Sequence, residues 1–212
     1  MESYRDFARV YDEFMDQTPY DEWLLNILNI FKEYKIDKDT QVLDLGCGTG
    51  KMARKLAREG YQVTAVDNSM DMLEIAASEE DDHILYVLQD MVSLELPQQV
   101  DAAVSICDCM NYILEEEDLK EAFRRVREFL KEDGVFVFDM NSHYKYKEIL
   151  ACNTFAEDRE DASFIWDNFY DEEEMINEYD LTLFIPEAGE LYRRYVETHY
   201  QRNYKVEQIV DF

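Results

Sequence analysis

The chain has 212 residues, enough to bury a sizeable core as one domain. Its 49 acidic and 21 basic side chains leave a net charge of −28, while 47% of residues are hydrophobic and 14% aromatic, too apolar a composition for a disordered acidic tail. Nucleic acids and anionic membranes are bound chiefly through Lys and Arg, so neither is an expected partner. Cys47, Cys107, Cys109 and Cys152 form no C-x-x-C pair, and His83, His143 and His199 are scattered, which argues against a disulfide scaffold and against a metal site. With no apolar signal region at the N-terminus and no apolar run of membrane-spanning length, a cytoplasmic protein is expected.

Tyr20, Trp23, Leu24, Ile27, Leu28, Phe31 and Tyr34 recur at helical spacing. Thr18 as cap, Pro19 in the first turn and Asp21 closing the box predict where that amphipathic helix starts. Residues 41–45 are a short apolar strand ended by Gly46, Gly48 and Gly50, and the helix-forming residues 51–58 stop at Gly60. The alternation continues with a strand at 63–66, a helix at 70–78 capped by Ser69, and strands at 84–88 and 100–107. A helix over 115–130 puts Leu119, Phe123, Val126 and Phe129/Leu130 on one face, with acids in its first turn. Gly134 is expected to end it before a fifth strand at 135–138. Strands without polar alternation, separated by helices, indicate a doubly wound α/β sheet, parallel and covered on both faces. From about Phe155 the pattern changes to β-prone segments at 163–170, 175–185 and 191–204, with hairpin loops at 171–174 and 187–190, which reads as an antiparallel β layer or lid. The eleven acids and one Arg between Phe155 and Asp180 read as a solvated face.

In such a sheet the ligand crevice lies beside the first strand-to-helix turn, here Asp44-Leu45-Gly46-Cys47-Gly48-Thr49-Gly50. The dinucleotide fingerprint needs its third glycine at position 51, which is Lys51, so a nucleotide-dependent oxidoreductase is disfavoured. The G-x-G-x-G spacing with Asp44 ahead of it resembles the class I S-adenosylmethionine-dependent methyltransferases. The resemblance implies a mostly parallel Rossmann-like sheet in the order 3-2-1-4-5 and S-adenosyl-L-methionine as cofactor, held around Asp44, Gly46, Cys47, Gly48 and Gly50. It places Asp67 on the two ribose hydroxyls and Gln89, Asp90 and Met91 at the adenine, with Asn68, Met72 and Cys107 also at the cofactor. A carboxylate at Asp67 suits two charge-assisted bonds from a diol, a helix cap being its other reading.

Tyr4, Phe7, Ala8, Tyr11, Asp12, Tyr20 and Trp23, with residues 107–112, are similar to a bacterial group of small-molecule methyltransferases related to amino-sugar and glycine N-methyltransferases. In that group an N-terminal segment folds over the cofactor, which assigns Tyr11, Tyr20 and Trp23 to a cover, although aromatics at helical spacing also suit a core. The expected division is a cofactor-binding core with a helical cover at 1–150, then a β lid with the start of a C-terminal helix at 151–212. Such proteins usually finish with a helix and a hairpin that closes the sheet, whereas this chain ends at Val206–Phe212. A truncated sequence or an unusual sheet edge is the expectation.

Methyl transfer from a sulfonium needs alignment and exclusion of water more than acid–base machinery. Asp108 is the candidate to stabilise an amine acceptor or take its proton, a loop or capping Asp being equally compatible. Asn111 and Tyr112 are candidates to orient the acceptor, His143 and His199 are outside candidates for a base, and Cys47 is a small apolar filler. Period-two counting puts Tyr192, Arg194, Tyr200 and Tyr204 on one strand face, giving Tyr192, Arg194 and Tyr200 as acceptor-binding residues, with a homodimer interface as the alternative for that surface. Besides a small-molecule methyltransferase, the open alternatives are a non-catalytic adenosyl-ligand or partner-binding module and a methyltransferase acting on RNA or protein.

Overall fold

A computed structural model describes residues 4–187 and 191–212. After α1 (Ala8–Phe14) and α2 (Tyr20–Glu33), the chain alternates β1 (Gln41–Leu45), α3 (Lys51–Arg58), β2 (Gln62–Asp67), α4 (Met70–Ala76), β3 (Ile84–Leu88), β4 (Val100–Ser105), α5 (Glu116–Phe129) and β5 (Leu130–Phe138). The five strands form one parallel sheet in the order β3-β2-β1-β4-β5. Strand β1 shows why both faces need covering. It sends Val42 into a core shared with Ile27, Phe31, Met52 and Leu56 of α2 and α3, and Leu43 and Leu45 into a second core with Val126 of α5.

A π-helical segment, Lys145–Leu150, leads to a second sheet of β6 (Thr154–Asp158), β7 (Ser163–Asp171), β8 (Ile176–Pro186) and β9 (Tyr192–Arg202), each strand antiparallel to its neighbour. A short α6 (Val206–Asp211) follows. Helix α1 buries Val10, with Phe7 and Phe14 beside it, against Ala162 of the β6–β7 connection and Leu181 and Leu183 of β8, so the N-terminal segment packs on the second sheet. Among the described residues, no helix is long and apolar enough to cross a membrane.

Several local expectations are corrected. Thr18 does not cap α2: its hydroxyl donates to the Met15 sulfur, and α2 starts directly after Pro19 with no side-chain cap. Helix α5 ends at Phe129 rather than at Gly134, because Leu130 already pairs with Val100 and the register then jumps to Ala102 and Val135. Gly134 lies inside that irregularity, where a Cβ would stand 3.0 Å from the Asp101 carbonyl oxygen, so its role is close approach, not helix termination. Strand β6 and the π-helical segment carry no periodicity strong enough to read from sequence. Ser69 caps α4 by accepting the Met72 N–H at 3.3 Å. The turn at 171–174 is a hairpin connection, while residues 188–190 of the other expected loop lie outside the described residues.

Candidate active site

A cavity of about 490 Å³ opens at the carboxyl ends of β1, β2 and β4, beneath the N-terminal segment. Its floor is the glycine turn. The N–H groups of Gly46 and Cys47 donate to the Val66 carbonyl at 2.8 and 3.0 Å, folding the turn back on β2. Asp67, at the tip of β2, accepts from Gly48 N at 2.7 Å and from Ser69 N at 2.9 Å. Burial nevertheless raises its pKa above the usual carboxylate value. Gly46 (φ +74°) is required twice over, since it is left-handed and a Cβ there would sit 2.7 Å from the Cys109 sulfur. Asp44 lies below, 1% exposed, with one carboxylate oxygen unpartnered. Burial first and the neighbouring Asp67 charge second push its pKa up to about 7. An unpaired buried carboxylate at a cavity wall is energetically completed by a cationic ligand.

The cover is pinned at both ends. Asp12 of α1 accepts from the Thr49 hydroxyl (2.7 Å) and pairs with Lys51 (3.3 Å), tying the helix to the glycine turn. Four residues upstream of α1, the Tyr4 carbonyl accepts from the Ser69 hydroxyl at 3.2 Å. Tyr4, Tyr11 and Tyr20 thereby roof the cavity.

The far end is built where β4 gives out. Cys107 (φ +66°) and Asp108 (φ +54°) are successive left-handed residues, a strained turn of the kind found at functional sites. It is fastened by the Asp108 N–H donating to Asp139 at 3.1 Å. Asp108 accepts from Gln201 of β9, and burial pushes its pKa up to about 6 despite Lys145 nearby. The following turn, Cys109–Tyr112, delivers Tyr112 into the cavity wall. Its hydroxyl lies 2.7 Å from that of Tyr4, in hydrogen-bond contact with Tyr179, and 3.2 Å from Nδ1 of His199.

Of the residues selected from sequence, Tyr11, Tyr20, Asp44, Gly46, Cys47, Gly48, Asp67, Asn68, Met72, Gln89, Met91, Cys107 and Tyr112 line this one cavity. Others do not. Trp23 packs against the core between α2 and the sheet. Gly50 starts α3, facing Tyr86. Asp90 caps the turn Met91–Ser93 by accepting Val92 N at 2.8 Å. Asn111 is wholly buried as a brace, donating to the Arg202 carbonyl (2.7 Å) and accepting from Asn141 N (2.8 Å). Asp108 stands behind the wall, next to Tyr112. His143 is half-exposed, beside Asn203 and Tyr170.

The face of β9 is reversed from expectation. Tyr192, Arg194 and Tyr200 point to solvent, Tyr192 being 53% and Tyr200 42% exposed, whereas Glu197, His199 and Gln201 are buried toward the site. Tyr204 lies past the strand and is buried, its hydroxyl donating to the Ile113 carbonyl at 2.7 Å. Hydrophobic alternation failed because the inward residues are polar but fully partnered. Sequence reasoning also missed Thr49, Ser69, Cys109, Tyr179, Glu197 and Gln201. The polar period-two run Glu197, His199, Gln201 was the available signal for the last two.

A parallel sheet in this order, with a glycine turn, an acid at the tip of the second strand and one cavity above them, defines a class I methyltransferase core. A family described as a methyltransferase domain matches residues 42–134. The Bacillus subtilis protein YqeM, which carries a methyltransferase name, is 38% identical across 97% of this chain and 82% of its own length. A solved S-adenosylmethionine-dependent methyltransferase from Clostridium acetobutylicum superposes with a TM-score of 0.84 at 31% identity, covering 99% of this chain and 85% of that one. The sugar N-methyltransferase KedS8 from a Streptoalloteichus species shares the fold, with a TM-score of 0.80 at 17% identity over 95% of this chain and 81% of its own. The chain belongs to the S-adenosylmethionine-dependent methyltransferases.

Proposed function

We propose that this enzyme transfers the methyl group of S-adenosylmethionine to the nitrogen of a small-molecule amine. The observation that carries the reading is the buried carboxylate beside the acceptor end: Asp108, held by Gln201, acts electrostatically on Tyr4, Tyr112 and Tyr179, while Asp44, Asp67 and Asp71 line the part of the cavity given to the cofactor. Negative charge there favours a cationic or amine acceptor over phosphates, carboxylates or nucleic acid. Asp67 would hold the ribose hydroxyls, Met72, Leu88 and Met91 would cover the adenine, and the unpaired oxygen of Asp44 suits the α-ammonium of the amino-acid portion. When bound there, S-adenosylmethionine supplies an activated methyl group on a positively charged sulfur.

The chain's own part is to align the acceptor, keep water out and stabilise charge. Tyr4, Tyr11 and Tyr20 close the roof. At the other end Asp108 places negative charge behind Tyr112, where a neutral amine becomes positive as it takes the methyl group. With a pKa of about 6, Asp108 is mostly ionised at neutral pH. One proton leaves the amine after transfer, and Asp108, the carboxylate whose charge acts on Tyr4, Tyr112 and Tyr179, is the group we assign to receive it. The test is a screen of small amines, phenols and carboxylates with S-adenosylmethionine, with methylated product and S-adenosylhomocysteine both quantified by mass spectrometry. Methylated amines are expected. Methylation confined to phenols or carboxylates would overturn the assignment of the acceptor.

A further inference from the structure

The hydroxyls at the acceptor end are wired to one buried carboxylate, and counting protons sets their direction. Glu197 accepts from the backbone N–H groups of Tyr4 (2.9 Å), Arg5 (3.2 Å), Asp6 (2.6 Å) and Phe7 (2.9 Å). A carboxyl group so surrounded by donors is ionised and has no proton to give. Burial raises its pKa, but the His199 ring and these N–H groups outweigh burial and hold it below the ordinary value. Its remaining contact, 3.3 Å from Nε2 of His199, therefore runs from the imidazole N–H to the carboxylate. A neutral ring protonated on Nε2 leaves Nδ1 as an acceptor, so the Tyr112 hydroxyl, 3.2 Å away, donates to it. With that proton committed, the Tyr112 oxygen can only accept, and the hydroxyls of Tyr4 (2.7 Å) and Tyr179 donate to it. Each link passes the same polarity outward.

The ring that anchors this order is immobilised. His199 is fully buried, stacked on Tyr179 at 4.7 Å and 7°, and met edge-on by Tyr4 at 5.0 Å. The groups that face it are Glu197 from its own strand, Tyr179 from β8, Tyr112 from the turn after β4 and Tyr4 from the cover.

We infer that Glu197 and His199 are positioning residues that orient the phenols of Tyr112, Tyr4 and Tyr179 so that the acceptor end of the cavity presents oxygen lone pairs and selects ligands carrying N–H donors. The inference rests on the methyl-transfer reading and supplies a physical reason for an amine over a carbonyl or an anionic oxygen. Glu197 also holds the start of the cover, so the same carboxylate that orders the phenols keeps Tyr4 in place above the cavity.

Long-range 15N–1H correlation spectra of the full chain read the tautomer of His199 directly, with His199→Gln assigning its signals among the three histidines. At pH 8, with and without S-adenosylhomocysteine, the expected state is protonated on Nε2 and bare on Nδ1. A ring protonated on Nδ1 would overturn the inference. Selectivity is read by titrating benzylamine, benzyl alcohol and benzoate into the S-adenosylhomocysteine-saturated protein. Benzylamine should bind at least ~10-fold more tightly than benzoate, and Tyr112→Phe, which leaves Asp108 untouched, should shrink that preference by ~5-fold. A preference unchanged in Tyr112→Phe would assign it to Asp108 alone and overturn the inference. Failure of the wild-type protein to bind S-adenosylhomocysteine would strike the methyl-transfer reading instead, and the tautomer of the ligand-free protein would still decide the order of the hydroxyls.

Discussion

The two ends of the cavity are built by opposite strategies. The end we assign to the cofactor is local: Asp44 to Gly50 form one continuous turn, and Asp67 meets it from the adjacent parallel strand through Gly48 N–H. The acceptor end is assembled from four distant segments, with Tyr4, Tyr112, Tyr179 and His199 brought together by the cover, the turn after β4 and two strands of the second sheet. A contiguous turn depends on backbone shape, and glycine supplies it. A dispersed polar cluster depends on each member finding a partner, and its loss is felt through orientation more than through folding.

This contrast predicts a descending series of effects. Gly46→Ala should be the most damaging, because it forces a left-handed alanine whose Cβ would meet the Cys109 sulfur at 2.7 Å. A loss of about 2 kcal/mol or more is expected in urea unfolding, partly recovered by adding Cys109→Ala. No loss in Gly46→Ala, or no recovery on adding Cys109→Ala, would show that the turn is not clamped by Cys109. Next comes Asp44, whose pKa near 7 should fall when a cationic ligand arrives. Affinity for S-adenosylhomocysteine should therefore be weaker by up to ~10-fold at pH 6 than at pH 8, and Asp44→Asn should flatten that dependence in calorimetry. In the ligand-free protein the sign reverses. A raised carboxyl pKa contributes stability that is full below the unfolded value and is lost as the pH climbs through about 7.

Asp12→Ala should be milder, weakening the tie between α1 and Thr49 by about 1 kcal/mol and speeding ligand release in stopped-flow by ~5-fold. Unchanged release would mean the cover does not depend on that tie. Smallest of all, Tyr192→Phe and Tyr200→Phe should leave ligand affinity and stability within about 0.5 kcal/mol, since both side chains face solvent.

The same contrast explains what was legible in the sequence. Strands β1 and β3 and helix α3 could be bounded to the residue, because apolar runs and glycine stops report directly on a buried parallel sheet. Asp67 could be found by its distance along the chain from the turn. The acceptor end could be found only in part, Tyr112 and His199 by their places after β4 and in the last β segment, because polarity is a poor guide to which face of a strand is inside. Glu197 and Gln201 look like solvent residues, yet Glu197 is stabilised by four backbone N–H groups, and Gln201 by Tyr146 at 3.2 Å and by Asp108. The aromatic Tyr192 and Tyr200 look like pocket residues and lie outside. Thr18 failed as a cap for a related reason, since a local side-chain bond to Met15 displaced the expected one.

The division of labour between the two ends is tested most directly by calorimetry of S-adenosylhomocysteine on Asp67→Ala and Tyr112→Phe side by side. Asp67→Ala should weaken binding by at least ~10-fold, because on the proposed reading it removes charge-assisted hydrogen bonds to the ligand, while Tyr112→Phe should stay within ~2-fold of the wild-type protein. Equal losses in both variants, or a loss confined to Tyr112→Phe, would contradict the account.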